Sequence, residues 1–586
     1  MTALDNGIQI SDRRTRIRAI FDDLGVVLEG PIGTTIGEFV DQAKDYYKSD
    51  VPIIAAICNR ELRELSYPLY VDSDLTPVSL KTSDGGRIYR RSLVMLMATA
   101  AEELWKGSRI EVRYAVPDGG FYCTREDARP FTEAELAQLE AHMRQIVTND
   151  EPITKRTVTV EEAYETFLAR QDDDKARLLS QRDREELVLY KLRGREDYSY
   201  GYMVRSTGVL SYFKLHWDSK GFILQYPRKE HPLDLLPLQP YDKLRVIFQQ
   251  TEDWLTKMNV EDVGRLNSVT RQNNRIHELI LVAEALHEQH IARIALQIAE
   301  KHNQKGLRLV LIAGPSSSGK TTFAKRLAIQ LLAHGLRPVT IELDNYFVDR
   351  DKTPKDAAGD YDFEALAAIN LPLFNEQLLA LTSGKRVTTP KFDFLTGKSI
   401  SGRQVQFGEN QIGIIEGIHG LNPNLVSEVP PEKIFRVYVS ALTQLNIDRN
   451  NRIPTTDVRL IRRIVRDAHH RGYSAADTLS RWQSVRRGEK NNIFPYQENS
   501  DAMFNSALAY ELAALRPMAE PLLLQVKYGT REHIEAKRLL SFLAWVHPLL
   551  PEYLDYIPDT SLLREFIGKS TLQNYFPDHR EISTEL

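Results

Sequence analysis

The sequence predicts a multidomain protein in which α+β units at the front are joined to a parallel-sheet α/β domain at the back. Three observations predict this. The chain has 586 residues, enough for about three to five domains at roughly 100–200 residues each. Its front half mixes alternating apolar runs with helical stripes. From Leu307 the pattern becomes strand, glycine loop, helix and strand, the mark of a parallel α/β sheet.

Composition narrows the classes. Hydrophobic residues make up 42% and charged ones 27%, the balance of a soluble globular chain rather than a disordered or fibrous one. The 76 basic and 80 acidic residues leave a net charge of −4. That lacks the basic excess of a bulk nucleic-acid binder, although a local patch stays open. Two cysteines, Cys58 and Cys123, are too few for a disulfide framework or a Cys-rich zinc site. No apolar run approaches the ~18–20 residues of a membrane helix, and the first residues lack a signal-peptide core, so a cytoplasmic location is expected.

After polar residues 1–13, the segment 14–79 reads as a small α+β unit, with a helix over 36–47 and a strand over 51–59. A second segment, 84–262, holds a helix over 92–105 and a strand over 109–116 that runs into the turn Pro117-Asp118-Gly119-Gly120. A helix over 132–146 follows, opened by Thr132 and Glu135 as a capping box, and then strand-like runs such as 208–217. Ile276, Leu279, Ile280, Ala283, Leu286 and Ile291 form a helical stripe and predict one long connecting helix over 264–303. The α/β domain spans 304–530, and a helix-rich tail with proline-marked breaks spans 531–586.

Residues 314–321 read Gly-Pro-Ser-Ser-Ser-Gly-Lys-Thr, between a buried-strand run at 309–313 and an amphipathic helix at 323–332. This matches G-x-x-x-x-G-K-[ST] in its required strand–loop–helix setting. Gly314 and Gly319 allow backbone conformations in which successive N–H groups face phosphate oxygens, and the helix N-terminus adds partial positive charge. The expected nucleotide-binding set is Gly314, Ser316, Ser317, Ser318, Gly319, Lys320, Thr321 and Thr322. Lys320 would reach the β/γ-phosphates, and the Thr321 hydroxyl would ligate Mg²⁺.

Two acids follow later strands: Asp344 lies just past 339–343 and Glu416 just past 412–415. Sites of parallel sheets gather at the carboxyl ends of strands, so both acids are expected to face the loop. One carboxylate could take a proton from an acceptor hydroxyl while the other organises Mg²⁺; a helix N-cap is the ordinary alternative for either. Arg459, Arg462, Arg463 and Arg466 fall on one helical face. Such a face suits RNA, or a lid over transferring phosphates, and its place after the phosphate loop favours the lid.

Together these pieces resemble the uridine/cytidine kinase branch of the P-loop kinases over about 307–526. The resemblance rests on the loop and on Asp344-Asn345-Tyr346-Phe347, Tyr361-Asp362, Pro390-Lys391-Phe392-Asp393-Phe394, Glu416-Gly417-Ile418 and the arginine-rich run ending Arg471-Gly472. It implies an ATP- and Mg²⁺-dependent kinase with Asp344 as base on a nucleoside 5′-hydroxyl and Glu416 beside Thr321 at the metal. Asp362 would hold the ribose, Tyr346, Phe392, Phe394 and Ile418 would line the acceptor pocket, and Arg463 and Arg466 would close the lid. At the family's base-reading His, lid Arg and lid Gln stand Gly397, Tyr473 and Arg481. Losing a hydrogen-bonding pocket group alters discrimination strongly. Phosphoryl transfer is therefore better supported than uridine as acceptor, and a phosphoribulokinase-like reaction on another hydroxyl is the nearest rival.

The front half resembles threonyl-tRNA synthetases. Residues 14–79 look like a TGS domain, and 84–262 resembles the editing-type domain through Leu104-Trp105-Lys106-Gly107-Ser108, the run 153–167 and the run 206–215. The positions of that domain's His and Cys ligands hold Arg91, Met95, Ser199 and Met203. Neither Met nor Arg replaces imidazole as a hard-metal ligand or neutral-pH acid–base group, so a binding, regulatory or architectural role is expected. The whole arrangement is similar to bacterial nucleoside kinases that carry an N-terminal TGS domain. A nucleotide-dependent protein that binds RNA, tRNA or ribosome through its front half is the competing expectation. His277, His287 and His290 lack an evident third metal ligand, and His419 could line the cleft or simply pack.

Overall fold

The computed structural model describes residues 14–126, 129–355, 359, 361–393 and 395–575. The chain forms two compact units. One contains the chain up to Gln239 together with Asp448–Arg452 and Lys527–Ser541; the other contains Pro240–Ile447, Ile453–Val526 and the chain from Phe542 on. These limits differ from the five ranges expected from the sequence: residues 240–262 go with the second unit, and the tail is divided after Ser541.

In the first unit a five-stranded sheet runs in the order Val26–Pro31, Arg16–Phe21, Ser73–Ser79, Ile53–Cys58, Glu61–Glu64. The helix Ile36–Gln42 packs on its small core, with Thr35 and Glu38 as a capping box. A second core surrounds the helix Ser83–Leu104. That helix starts well before the predicted 92. Thr82 caps it by accepting from the Gly85 N–H, and a Cβ on Gly85 would lie 2.2 Å from the Ser79 carbonyl oxygen. The close approach of Gly85 to Ser79 thus lets the helix begin there.

Two antiparallel sheets complete this unit, one ordered Arg195–Tyr198, Glu186–Leu192, Ile153–Thr159 and the other Lys214–Asp218, Gly221–Gln225, Gly120–Arg125, Ile110–Val116. Only the end of the predicted strand 208–217 is a strand. Its first part is the short turn Thr207–Val209, because Leu210 and Phe213 both enter the core rather than alternating across a sheet.

The second unit is built on a parallel sheet ordered Arg337–Glu342, Gln411–Glu416, Leu309–Ala313, Ile434–Ser440, Ala502–Asn505. Every residue of Leu309–Ala313 is buried, as expected of a central strand covered on both faces. The helix Lys320–Ala333 follows the glycine loop, and the hairpin Val387–Asp393 with Lys398–Val405 stands apart from the sheet. The predicted helix 264–303 is two helices, Val263–Thr270 and Asn273–Lys305. Gln272 between them is extended; of the predicted stripe Ile276, Leu279, Ile280, Ala283 and Ile291 are buried, and Leu286 is half-buried.

The first unit buries a charge network with no apolar substitute. Lys175 is 0% exposed, with its ammonium 2.5 and 2.6 Å from the two Asp197 oxygens and 3.0 Å from Asn450 Oδ1. Asp448 lies 4.0 Å from the same ammonium and accepts from the Tyr198 hydroxyl. Removing one partner of such a network strands the others. Lys175→Met is expected to destabilise this unit by about 3–5 kcal/mol in denaturant titrations, whereas a loss below about 1 kcal/mol would mean the carboxylates are relieved by water.

Candidate functional site: a phosphate loop and its acids

The loop 314–321 is shaped by close approach. A Cβ on Gly314 would lie 1.9 Å from the Val439 carbonyl oxygen, so only glycine lets the loop leave the central strand beside its neighbour. Gly319 has φ +82, and Ser317 also takes a left-handed φ of 58, a conformation that a non-glycine residue holds only when its surroundings dictate it. The Ser317 and Ser318 hydroxyls are buried and have no protein partner among the described residues. Buried hydroxyls without partners in a glycine loop of this pattern suit the oxygens of a polyphosphate.

The rear of this loop is held by arginines. Arg459 Nη1 donates to the Ser316 carbonyl at 3.0 Å, and Arg462 Nη1 reaches the Ser317 carbonyl at 3.5 Å. Both side chains are buried, Arg459 against Glu489 (Nη2 to Oε2, 2.9 Å) and Arg462 against Glu511 (Nε to Oε2, 2.6 Å). The predicted four-arginine face over RNA or phosphate is therefore corrected: the helix Thr455–Arg471 turns two of its arginines inward as supports, because each meets a buried carboxylate. Arg463 and Arg466 remain half-buried at the loop. Arg463 Nη1 donates to Ser316 Oγ at 2.8 Å, and Arg466 Nη2 to Asp467 Oδ1 at 2.8 Å. Glu489, in the run 486–490 that the sequence leaves open between a phosphate contact and none, also accepts from the Ser316 N–H at 2.9 Å.

Lys320 donates to the Pro315 carbonyl at 3.2 Å. Burial lowers its proton affinity, opposed by the carboxylates of Glu416, Glu565 and Glu489 and assisted by Arg466. Thr321 Oγ1 donates to Glu416 Oε1 at 3.0 Å. Burial raises the Glu416 carboxyl above its ordinary value, Lys320 lowers it, and Glu565 and Asp344 raise it further. Thr321 and Glu416 are thus brought together as hard oxygen donors, a chemistry that suits Mg²⁺. Thr322 is placed differently from the expectation of a free phosphate donor: its N–H and hydroxyl donate to Glu565 Oε2 at 3.3 and 2.8 Å. The run 557–568 that carries Glu565 resembles the tail of the same kinase group, but its contact with Thr322, 243 residues away, is not visible in the sequence.

Asp344 follows the strand Arg337–Glu342 in the short turn Leu343–Tyr346. Its side chain is exposed, and its carboxylate has no hydrogen-bond partner among the described residues. Surrounding protein and the nearby Glu342 carboxylate raise its pKa above the ordinary aspartate value. Tyr346, expected to meet the acceptor, is instead 1% exposed: its ring packs edge-on against Phe374 and its hydroxyl donates to Gln377 Oε1 at 2.8 Å. In this turn the neighbouring Phe347 is the half-buried ring, with Phe392 and Phe363 each 5.6 Å away between centroids. Phe392 is 3% exposed and backs Phe347 rather than forming an open wall, and Phe394 lies outside the described residues.

Asp362 is half-buried and accepts from the Glu364 N–H at 3.0 Å. Beside it Glu364 is raised by burial, by Asp362 and by Glu489, and lowered by Arg463 and Arg487. Ile418 is half-buried against Ala313, Leu421, Tyr438 and Ile493. His419 is buried, which pushes its pKa down to about 4 despite the nearby Asp362. Burial likewise pushes His287 to about 3, so it is neutral at ordinary pH. Among the described residues no group of three or more His, Cys, Asp or Glu side chains could hold a metal ion, and no helix is long and apolar enough to cross a membrane.

In the first unit the positions of the synthetase-type ligands hold other chemistry. Arg91 Nη1 donates to the Tyr202 carbonyl at 2.6 Å, and its guanidinium lies 5.1 Å from the Tyr200 ring centroid. Met95 and Met203 are each 4% exposed, and Ser199 Oγ accepts from the Gly201 N–H at 3.4 Å.

Parallel sheet, glycine loop and the helix that follows it define the second unit as an α/β domain of the P-loop kind. Residues 309–512 match the model of the Phosphoribulokinase / Uridine kinase family, which supports a nucleotide-dependent kinase domain in this part of the chain. The front part is similar to the Threonine--tRNA ligase of Acidovorax sp. (strain JS42), 33% identical over 26% of this chain and 24% of that protein. It is also similar to that of Burkholderia lata, 35% identical over 28% of this chain and 27% of the ligase. The chain thus spans about a quarter of the length of these ligases. A solved structure titled as a possible uridine kinase from Bacillus stearothermophilus aligns with 34% of this chain and 88% of its own, at 19% identity and a TM-score of 0.23.

The charge beside Asp344 is removable. Glu342→Gln is expected to lower the Asp344 titration midpoint toward the ordinary aspartate value, read by carboxyl-carbon NMR of labelled aspartates; an unmoved midpoint would leave the loss of hydration beside the surrounding protein as the sole cause.

Proposed function

We infer that the second unit is an ATP- and Mg²⁺-dependent kinase that transfers the γ-phosphoryl group to the 5′-hydroxyl of a nucleoside. Asp344 carries this reading: an exposed, unpartnered carboxylate just past a parallel strand, of raised pKa, close enough to Glu416 to affect its ionisation. A switch that only hydrolyses or senses nucleotide has no need of such a group.

The Gly314–Thr322 loop, through N–H groups other than that of Ser316, which Glu489 holds, and the Lys320 ammonium would bind the triphosphate. Thr321 and Glu416 would hold Mg²⁺, which when bound neutralises charge on the β- and γ-phosphate oxygens. Asp344 would take the proton of the acceptor hydroxyl as its oxygen forms a bond to the γ-phosphorus and the bond to the β–γ bridging oxygen breaks, releasing ADP. Arg463 and Arg466 would meet the charge on the transferred group. Asp362 would orient the sugar hydroxyls, with Ile418 and the Phe347–Phe392 pair beside the acceptor. Gly397, Tyr473 and Arg481 stand where the kinase family carries polar pocket groups, so a phosphoribulokinase-like transfer to another small hydroxyl is the variant to test alongside. The ligase likeness of the front part supports a second reading, in which that unit binds tRNA or another RNA and nucleotide turnover regulates it.

Incubation with Mg-ATP and a panel of nucleosides and sugars is expected to yield a phosphorylated acceptor and ADP; ADP alone, formed faster with RNA, would favour the second reading. Asp344→Asn is expected to slow transfer by about 10²–10⁴-fold while nucleotide binding stays near wild type. The pH profile of kcat should rise through a midpoint above that of an ordinary aspartate, because the base must be ionised and its pKa is raised. Lys320→Ala is expected to weaken both nucleotide binding and turnover, and unchanged kinetics would remove the loop from the mechanism.

A further inference from the structure

The segment 559–573 of the second unit lies against the phosphate loop in a way that neither the family match nor the sequence motifs assign. Leu562 sits directly over Gly319: a Cβ there would lie 2.3 Å from its Cδ2. Glu565 accepts from both the N–H and the hydroxyl of Thr322, the only hydrogen bonds of its carboxylate among the described residues, with Lys320 and Lys325 near enough to feel its charge. Phe566 lies 5.0 Å from the Arg462 guanidinium, and the carbonyls of Leu572 and Gln573 accept from Lys325 Nζ at 2.7 and 3.0 Å. The segment thus spans the first turns of the loop helix and reaches the arginine-bearing helix.

Two carboxylates touch loop N–H groups, and their settings differ. Glu489 on Ser316 is gripped by Arg459 and Arg486 and belongs to the buried frame. Glu565 on Thr322 is half-buried and has no such arginine grip. The N–H groups at the start of this helix are those that cradle the α/β-phosphates of a bound nucleotide in a loop of this pattern. A carboxylate and a phosphate oxygen cannot share one donor, and two anions in one place repel.

We propose that the segment 559–573 is a gate on the donor site, in which Glu565 holds the Thr322 donors in place of a nucleotide phosphate and must withdraw before a triphosphate seats. The gate rests on the reading of the loop as the ATP site. A gate closed about nine-tenths of the time weakens apparent nucleotide affinity about tenfold. Removing the competing charge should return that factor.

The test measures Mg-ATP binding to the full-length protein by calorimetry for wild type, Glu565→Gln and Glu565→Ala, with circular dichroism to check folding. Both variants are expected to bind about tenfold more tightly. In the wild type, amide hydrogen exchange across 559–573 should quicken when Mg-ATP is added. Equal affinity in all three proteins, with exchange unchanged, overturns the gate and leaves the ATP site standing. No binding to any of the three folded proteins overturns the ATP site and the gate together. Weaker binding by both variants would overturn the gate by making Glu565 a support for the nucleotide.

Discussion

A loop that turns its N–H groups toward an anion must turn its carbonyls away from it, and those carbonyls need donors in a place water does not reach. Here Arg459 and Arg462 supply them, each neutralised by a buried glutamate. Buried ion pairs add little net stability over an apolar core, but losing one partner is costly. Their value here is positional: the guanidinium planes fix where Ser316 and Ser317 stand, and so where the open face of the loop points.

What could be read from the sequence follows the range of the forces involved. The glycine loop is local: strand, turn and helix are contiguous, and the structure forms all three. The strand-end positions of Asp344 and Glu416 were legible because strand ends of a parallel sheet converge whatever the distant packing. The assignment of Tyr346 failed because two neighbouring aromatics in a short turn must choose between core and cleft. Gln377, from a helix beyond the motif, gave the Tyr346 hydroxyl a partner inside. The arginine stripe was read correctly as a helix face and wrongly as an open one. No local pattern shows that Glu489 and Glu511 wait opposite Arg459 and Arg462.

The front unit gives the complementary lesson. The ligase likeness lies in elements and turns, yet a guanidinium and two thioethers stand at the positions that would carry the ligand chemistry. Scaffold and chemistry are separable here, as they often are. The early start of Ser83–Leu104 was hidden for a related reason: the value of Gly85 comes from a backbone contact to Ser79 that composition cannot display.

The first unit draws on Asp448–Arg452 and Lys527–Ser541 as well as the chain up to Gln239. On a ribosome its amino-terminal portion emerges long before the pieces that complete its charge network. Lys175 and Asp197 then have each other but neither Asn450 nor Asp448. The amino-terminal module therefore cannot mature in simple order of synthesis, and its last contacts form only after residues 527–541 have been made.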